Sequence, residues 1–291
     1  MADSKSQVFF PESFQELFST WNNFNDAVLF AGGIELIREQ GKTVPTLPKT
    51  TISLHKMEEL GKIRRTERYL EIGAMVKLNQ ILHLGKIVPQ ALSCCIQRIG
   101  GQHLRNMATI GGNLCNPSRR LDTSAPMIAL DAQYELRTAQ STRWIAASRF
   151  SSLPGPPVLA SQEILTRIRV PLEPWTYTWF RKFNTPGSNK PGGVIIIIVR
   201  IQKNILTNIR VIYSDKIILR DKNSETMLAG KQLPLDRKET RGFVDRWKTY
   251  MGAFQGIENS VFSETGHKFY PELIKAQILN FIESTLLYIS D

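Results

Sequence analysis

The alternation of apolar and polar positions in the first 60 residues predicts a small unit of strands and helices. Apolar runs predict strands at residues 8–10, 27–30 and 51–54, and apolar residues at helical spacing predict a helix over residues 13–22. A glycine turn at Gly32 and Gly33, followed by a short helix, separates the second and third strands. The pattern therefore indicates a mixed αβ unit at the start of the chain.

The pattern continues with helices and strands up to about residue 172. A strand ends at Gly73, and two helices over residues 74–85 and 88–97 stop at Gly85 and at Gly100 with Gly101. Beyond a polar stretch at residues 107–123, residues 126–138 predict a helical turn and a strand. Residues 163–172 (EILTRIRVPL) predict a further strand.

The composition changes after this strand. Residues 174–193 are aromatic, basic and rich in proline and glycine, which is typical of a connection. Strands at residues 194–201 and 209–213 and helices at residues 236–251 and 271–289 follow it. We expect three parts, residues 1–60, 61–175 and 176–291.

Composition and charge exclude several classes of protein. The chain has 291 residues, 42% of them apolar, and a formal net charge of +11, but its cations are scattered and seldom lie beside aromatic residues. This distribution favours a solvated basic surface over a nucleic-acid interface. The longest apolar run, residues 194–199 (VIIIIV), is far shorter than the roughly 20 residues of a membrane span, so it predicts a buried strand. The N-terminal residues lack a secretory pattern, so we expect a cytoplasmic protein.

No metal site is expected on this chain. Its three cysteines are Cys94, Cys95 and Cys115, there is no CxxC pair, and its four histidines lie far apart. An iron–sulfur cluster normally takes four cysteine ligands, so any such cluster would have to belong to another chain. The cysteines are expected to be small buried apolar residues.

Two similar glycine loops remain after the common nucleotide-binding motifs are excluded. No two glycines are separated by a single residue, which excludes the Rossmann fingerprint, and Leu36 stands where a P-loop would need its first glycine. The loops are FAGGIEL at residues 30–36 and TIGGNL at residues 109–114. Glycine lets consecutive amides converge on phosphate oxygens, so two facing loops would suit a diphosphate. A single Gly-Gly pair is otherwise an ordinary tight turn.

The polar side chains that follow the second loop add a preference for hydroxyl groups. Thr109, Asn113 and Ser118 can donate hydrogen bonds, whereas ionised Asp122 can only accept them. A diphosphate beside a sugar-alcohol chain describes FAD.

Five segments resemble the FAD-binding subunit, or middle domain, of molybdenum hydroxylases of the xanthine dehydrogenase and carbon monoxide dehydrogenase type. They are FAGGIEL, QHLRNMATIGGNLCNPSRRLDTSAPMIALDA, QEILTRIRVPL, FRKF and ETMLAGKQL, in the family's order across residues 8–235. The resemblance implies an α+β, FAD-binding PCMH-type fold like that of vanillyl-alcohol oxidase. Residues 1–60 and 61–175 would be its two FAD-binding subdomains. Residues 176–291 would be a small α+β domain like the C-terminal domain of carbon monoxide dehydrogenase flavoproteins.

The same resemblance assigns cofactor-binding residues by position. They are Leu29, Phe30, Ala31, Gly32, Gly33, Ile34, Glu35, Leu36, Ile99, Thr109, Gly111, Gly112, Asn113, Ser118, Asp122, Leu165 and Lys182. The sequence departs from the family at Ile34, usually threonine, at Ile99, often an aromatic ring over the flavin, and at Pro117, Arg119 and Arg120. The arginine–lysine pair that usually follows the equivalent of Lys182 is also missing.

The resemblance implies an oxidoreductase subunit that transfers electrons. FAD would receive them from a [2Fe–2S] cluster on a small partner subunit and pass them to NAD or another acceptor, while molybdopterin would sit on a large partner subunit. No catalytic acid or base and no metal ligand is then expected on this chain, because the cofactor carries the redox chemistry. Two alternatives stay open: a flavin reductase of the same superfamily that acts alone, and a scaffold subunit that has lost its redox function.

Overall fold

The structure is a computed structural model that describes residues 6–40, 46–116, 122–151, 157–184, 191–215, 217–253 and 270–290. Its first unit is a parallel three-stranded sheet in the order β1-β3-β2, with two helices. The elements are β1 (Gln7–Phe9), α1 (Phe14–Asn23), β2 (Val28–Phe30), α2 (Ile34–Gln40) and β3 (Thr50–Ser53). Ser13 caps α1, since its hydroxyl accepts the amide of Glu16 at 3.2 Å. The strands and helices predicted for this part of the sequence are present within one or two residues.

The first unit shares its apolar core with the second. Leu17 and Phe18 of α1 and Ile52 of β3 are buried together with Met75 and Ile164, which belong to the second unit. The first unit is therefore held in place by an apolar contact with the second.

The second unit is an antiparallel five-stranded sheet in the order β4-β5-β8-β6-β7, packed against short helices. Its strands are β4 (Ile63–Arg65), β5 (Tyr69–Gly73), β6 (Gln133–Arg137), β7 (Thr142–Ala146) and β8 (Ile164–Pro171). Its helices are α3 (Leu78–His83), α4 (Gln90–Gln97), α5 (Gln102–Met107), α6 (Ile110–Leu114), α7 (Ser124–Ala129) and α8 (Ala147–Phe150). Along β8, Ile168 and Val170 enter the core, while Arg167 and Arg169 bond Glu71 on the other face.

The third unit is an antiparallel sheet with both faces covered. Its strands run in the order β12-β11-β10-β9, and the last strand, β13, pairs with β11. The strands are β9 (Tyr177–Asn184), β10 (Pro191–Gln202), β11 (Ile205–Ser214), β12 (Ile218–Leu219) and β13 (Lys231–Gln232), and the helices are α9 (Lys222–Leu228), α10 (Arg237–Ala253) and α11 (Tyr270–Tyr288). Ile196 and Ile198 of β10 face the core of the second unit, whereas Ile195 and Ile197 face a core that includes α10 and α11. Burial on both faces explains the uninterrupted apolar run of this strand.

Three sequence expectations about secondary structure are wrong. Residues 177–184 form β9, which pairs with β10, although their segment was expected to be a connection. The helix expected over residues 74–85 begins only at Leu78, because the carbonyls of Ala74 and Val76 accept the amides of Gly111 and Ile110. The polar stretch after residue 107, expected to be a loop, contains α6.

Each of the three sheets comes from one of the three expected ranges. The boundaries at residues 60 and 175 stay predictions, because apolar cores cross between the units. Among the described helices, none combines the length and the apolar character that crossing a bilayer requires.

Candidate functional site: a cavity between two glycine loops

A cavity of about 630 Å³ lies where the three units meet. All the residues assigned by the resemblance line it except Ser118, which lies outside the described residues, as do Pro117, Arg119 and Arg120. The lining ones are Leu29, Phe30, Ala31, Gly32, Gly33, Ile34, Glu35, Leu36, Ile99, Thr109, Gly111, Gly112, Asn113, Asp122, Leu165 and Lys182. Residues separated by up to about half of the chain are thus brought to one site. A second cavity, of about 560 Å³, is lined by none of them.

The two glycine loops approach each other closely at this cavity. A Cβ on Gly112 would lie 3.8 Å from the Cβ of Ala31, and a Cβ on Gly32 would lie 2.4 Å from the carbonyl oxygen of Met107. The second distance is too short for any side chain, so the approach requires glycine at position 32. Gly33 has φ +71°, which is the left-handed region that favours glycine.

The backbone amides of the two loops differ in their hydrogen bonding. Gly111 donates to the carbonyl of Ala74 at 2.8 Å, and Gly112 donates to the hydroxyl of Thr109 at 3.1 Å, since Thr109 caps α6. The expectation that both glycine pairs offer amides to a ligand is therefore wrong for Gly111 and Gly112. Among the described residues, no acceptor is bonded to the amides of Gly32 and Gly33, so the first loop is the one that presents donors.

Polar side chains at the cavity are oriented by neighbours. The hydroxyl of Thr123 donates to Oδ1 of Asn113, which leaves the Asn113 amide nitrogen as a donor. Lys182, on β9, donates to Oδ2 of Asp122. Asp122 keeps its second oxygen as an acceptor for a hydroxyl group. The sequence assigned these residues separately and gave no sign that Asp122 and Lys182 form an ion pair.

Several lining residues were missed by the sequence reasoning. Arg38 lines the cavity and pairs with Glu35 at 2.5 Å, a contact that the i,i+3 spacing on α2 would have suggested. Trp21 of α1 lines it as well, and no sequence signal marks this tryptophan. Gln162, in the left-handed region with φ +53°, donates through Nε2 to the carbonyl of Trp21 at 3.2 Å and to Oδ1 of Asn25 at 2.8 Å.

Glu163 fixes the same wall from the other side. Arg143 binds its carboxylate through two bonds, of 2.6 and 2.7 Å, and the amide of Ala160 adds a third at 2.9 Å. The hydrogen bond from Arg143 lowers the pKa of Glu163, so the buried carboxylate stays ionised. The segment from Leu159 to Leu165 is thus bonded both to α1 and to β7.

The cysteines show no sign of reactivity or metal binding. Cys94, Cys95 and Cys115 form no disulfide, and burial raises the pKa of Cys115, which lines the cavity, to about 12. Within the described ranges, no cluster of three or more His, Cys, Asp or Glu side chains is arranged to hold a metal ion.

The cavity has the features that FAD requires. The amides of Gly32 and Gly33, which have no acceptor among the described residues, suit a diphosphate, and Asn113 and Asp122 suit hydroxyl groups. Trp21, Leu29, Leu54 and Ile164 supply an apolar wall for a flat ring system. These residues therefore fit the cofactor by shape and by donor chemistry.

Comparisons with known proteins agree with this chemistry. The chain is 30% identical over 127 residues to the xanthine dehydrogenase FAD-binding subunit of Escherichia coli O157:H7, covering 42% of this chain and 43% of that protein. It is 29% identical over 169 residues to the nicotinate dehydrogenase FAD-subunit of Eubacterium barkeri, covering 56% of this chain and 57% of that protein. The matches thus span about half the length of these relatives.

Solved structures show the fold. A carbon monoxide dehydrogenase from Hydrogenophaga pseudoflava, lacking the Mo-pyranopterin moiety of its molybdenum cofactor, matches all of this chain and all of its own with a TM-score of 0.81 at 22% identity. Quinoline 2-oxidoreductase from Pseudomonas putida 86 covers all of this chain and 98% of its own, also with a TM-score of 0.81, at 17% identity. The expected α+β, FAD-binding fold is confirmed.

The family profile described as "FAD binding domain in molybdopterin dehydrogenase" matches residues 4–173, which is more than half of the chain. These residues contain both glycine loops and the part of the cavity wall from Leu159 to Leu165. FAD is therefore the cofactor to be expected in this cavity, and the chain belongs to the family of FAD-binding domains in molybdopterin dehydrogenases.

Proposed function

We propose that this chain is the FAD-binding, electron-transferring subunit of a molybdenum hydroxylase, and that it holds FAD in the cavity between the glycine loops. The observation that carries the proposal is the convergence of the two loops, with Gly112 facing Ala31 and Gly32 against Met107, on one cavity that the assigned residues line. Ser118 is kept in the proposed site by the resemblance alone.

The diphosphate is proposed to bind at the first glycine loop. The amides of Gly32 and Gly33 have no protein acceptor among the described residues. Arg38 belongs to α2, the helix that follows this loop, and also lines the cavity. The hydroxyl of Thr109 fixes the conformation of the second loop by accepting a hydrogen bond from the amide of Gly112. The first loop therefore supplies donors, and the second supplies a closely fitting surface.

The sugar-alcohol chain is proposed to bind at Asn113 and Asp122. Thr123 orients Asn113 as a donor, and Lys182 holds the carboxylate of Asp122 at the cavity. Ile99 is proposed to pack against a ring of the cofactor through an aliphatic surface, where relatives often use an aromatic one. These side chains position the cofactor and exclude water, which is the part that the protein plays in flavin chemistry.

Bound FAD would supply electron transfer from a [2Fe–2S] cluster to NAD or another acceptor. Two relatives are named as FAD-binding subunits, and the description of one solved structure names a molybdenum cofactor, which supports a molybdopterin-binding partner subunit. The small [2Fe–2S] partner subunit is proposed from the family resemblance. The three cysteines of this chain are fewer than a cluster normally needs, which agrees with a cluster on a partner. A cytoplasmic location stays a prediction.

Reconstitution of the purified full-length chain with FAD tests the cofactor. We expect one FAD per chain after removal of unbound flavin, with a visible flavin spectrum and quenched flavin fluorescence. A chain that gains no flavin spectrum after reconstitution would exclude this function.

Purification of the tagged chain from its native host tests the partners. We expect it to bring down a chain whose [2Fe–2S] cluster gives an electron paramagnetic resonance signal after reduction. Substrate turnover by the isolated chain would instead favour a reductase that acts alone. A bound flavin that cannot be photoreduced in the presence of an electron donor would favour a scaffold subunit without redox function.

A further inference from the structure

Lys77 lies directly behind the point where the two glycine loops meet. Its backbone pairs with Thr109, the cap of the second loop. Its Nζ donates to the carbonyl oxygen of Met107 at 3.2 Å, and this oxygen is the atom that blocks a Cβ at Gly32. The carbonyl group of Met107 therefore lies between the ammonium group of Lys77 and the backbone of the first loop. Lys77 itself does not line the cavity.

The charges that do line the cavity are already paired. Within the part of the chain that the structure describes, each lining cation is bonded to a lining carboxylate, and the remaining carboxylate is bonded to an arginine outside the lining. The pairs are Glu35 with Arg38, Asp122 with Lys182, and Glu163 with Arg143. A diphosphate carries two negative charges, and these pairs offer it no net positive charge.

Lys77 differs from these cations because it has no carboxylate partner among the described residues. It is half-buried, and burial lowers the pKa of its ammonium group. A charge in such a place acts on its surroundings more strongly than a surface charge, because little water screens it.

We propose that Lys77 is a positioning residue for a bound dinucleotide: it does not line the cavity, but its positive charge, held behind the contact between Met107 and Gly32, attracts the diphosphate. This inference rests on the proposed function, because it takes the diphosphate of FAD to lie at the first glycine loop. Lys77 then compensates part of the negative charge of the diphosphate, which the ion pairs lining the cavity do not compensate. Lys77 is not among the residues that the resemblance assigns to the cofactor.

A purely structural role for Lys77 makes a different prediction. The bond from Nζ to Met107 could matter only because it fixes α5 beside the first loop. The Lys77→Gln variant, which has a neutral side chain that can still donate a hydrogen bond, would then bind FAD as tightly as the wild type does. A role of the charge instead requires that Lys77→Gln behaves like Lys77→Met and that Lys77→Arg behaves like the wild type.

The experiment is a flavin-fluorescence titration of the full-length, flavin-free chain with FAD and with riboflavin, which has no phosphate. We expect Lys77→Met and Lys77→Gln to weaken FAD binding about five- to tenfold, and riboflavin binding to change less than about twofold. The FAD effect should persist in high salt, because salt screens a partly buried charge much less than a surface charge. Lys222→Met is the matched control, since Lys222 is exposed on α9 in the third unit, and it should bind FAD like the wild type.

The outcomes separate the two proposals. If the wild-type chain binds no FAD, the proposed function fails and this inference fails with it. If the wild type binds FAD and Lys77→Met binds it equally well, the inference about Lys77 alone is wrong. Recovery of binding by Lys77→Gln, or an equal loss for FAD and riboflavin, would also overturn it, because either result indicates a structural role. A thermal melt of each variant identifies any that does not fold, and Lys77→Arg, which keeps the charge, still tests the proposal.

Discussion

Gly112 faces Ala31 across the junction of the two glycine loops, where a Cβ on Gly112 would lie 3.8 Å from the Cβ of Ala31. Ala31 and Gly112 are 81 positions apart in the sequence, and their loops belong to different units, so only the tertiary fold brings them together. A small change at this junction should therefore affect the cavity more than it affects either sheet.

Gly32→Ala should weaken FAD binding at least about tenfold, because its Cβ would lie 2.4 Å from the carbonyl oxygen of Met107. Relief of that overlap requires the loops to separate, which we expect to cost about 1–3 kcal/mol. Fluorescence titration with FAD measures the affinity, and urea denaturation measures the free energy of unfolding.

Gly61→Ala is the matched control for this substitution. A Cβ on Gly61 would have no heavy atom within 4 Å, so FAD binding should equal that of the wild type. Gly32→Ala with unchanged FAD affinity would show that the close approach of the loops has no bearing on the cofactor.

Lys182→Met should destabilise the protein by about 1–3 kcal/mol, because it leaves the largely buried carboxylate of Asp122 without its cation. Asp122→Asn removes that charge, so the double variant should recover part of the loss. Urea denaturation of the wild type, both single variants and the double variant gives the coupling free energy, which we expect to exceed about 0.5 kcal/mol. Strictly additive effects would mean that the pair contributes nothing to stability.

The β10 strand shows what the sequence could predict about the fold. An apolar run such as residues 194–199 predicts a buried strand, and the structure buries it on both faces. β9 was missed because its two buried residues, Phe180 and Phe183, face different cores, so no regular polar alternation marks it, and its basic residues resemble a connection.

The candidate site was predictable where the backbone demands a particular residue type. Position 32 requires glycine because the backbone of Met107 approaches it closely, and position 33 favours glycine because its φ is positive. A Gly-Gly pair in a turn predicts both features from the sequence. The pairing of Gln162 with Trp21 was not readable, because these residues lie 141 positions apart and polar side chains carry no sign of their partners. The hydrogen bond of the Gly111 amide was hidden likewise, since its acceptor is the carbonyl of Ala74 in another segment.

Gln162→Ala should increase the rate of FAD release several-fold. The substitution removes the bonds to the carbonyl of Trp21 and to Asn25, which tie the segment from Leu159 to Leu165 to α1. Stopped-flow displacement of bound FAD by an excess of a competing flavin nucleotide measures the rate.

Gln162→Gly separates the side chain from the backbone in this experiment. Both variants lose the same two bonds, but glycine accepts φ +53° without strain, so it should be about 1 kcal/mol more stable than the alanine variant. If the glycine variant releases FAD at the wild-type rate, the side-chain bonds do not hold the cavity wall.

Arg143→Met should remove a stabilisation that depends on pH. The hydrogen bond from Arg143 lowers the pKa of Glu163 in the folded chain below its ordinary value of 4.5. A carboxyl group whose folded pKa is lowered adds stability above the unfolded pKa, and that stability is lost as the pH falls through the folded pKa. The variant should therefore be less stable than the wild type by about 1–3 kcal/mol at neutral pH, because a buried carboxylate loses its partner.

The difference between the wild type and Arg143→Met should shrink as the pH falls below the ordinary pKa of Glu163, since the protonated carboxyl group no longer needs the cation. Urea denaturation at a series of pH values between neutrality and the acid limit of the folded state measures it. Arg64→Met, at an exposed position on β4, controls for the loss of one surface charge and should show a small difference that varies little with pH. A deficit of Arg143→Met that persists unchanged into acid would mean that Arg143 stabilises the wall by packing, because a contribution through the ionised form of Glu163 has to disappear when that form does.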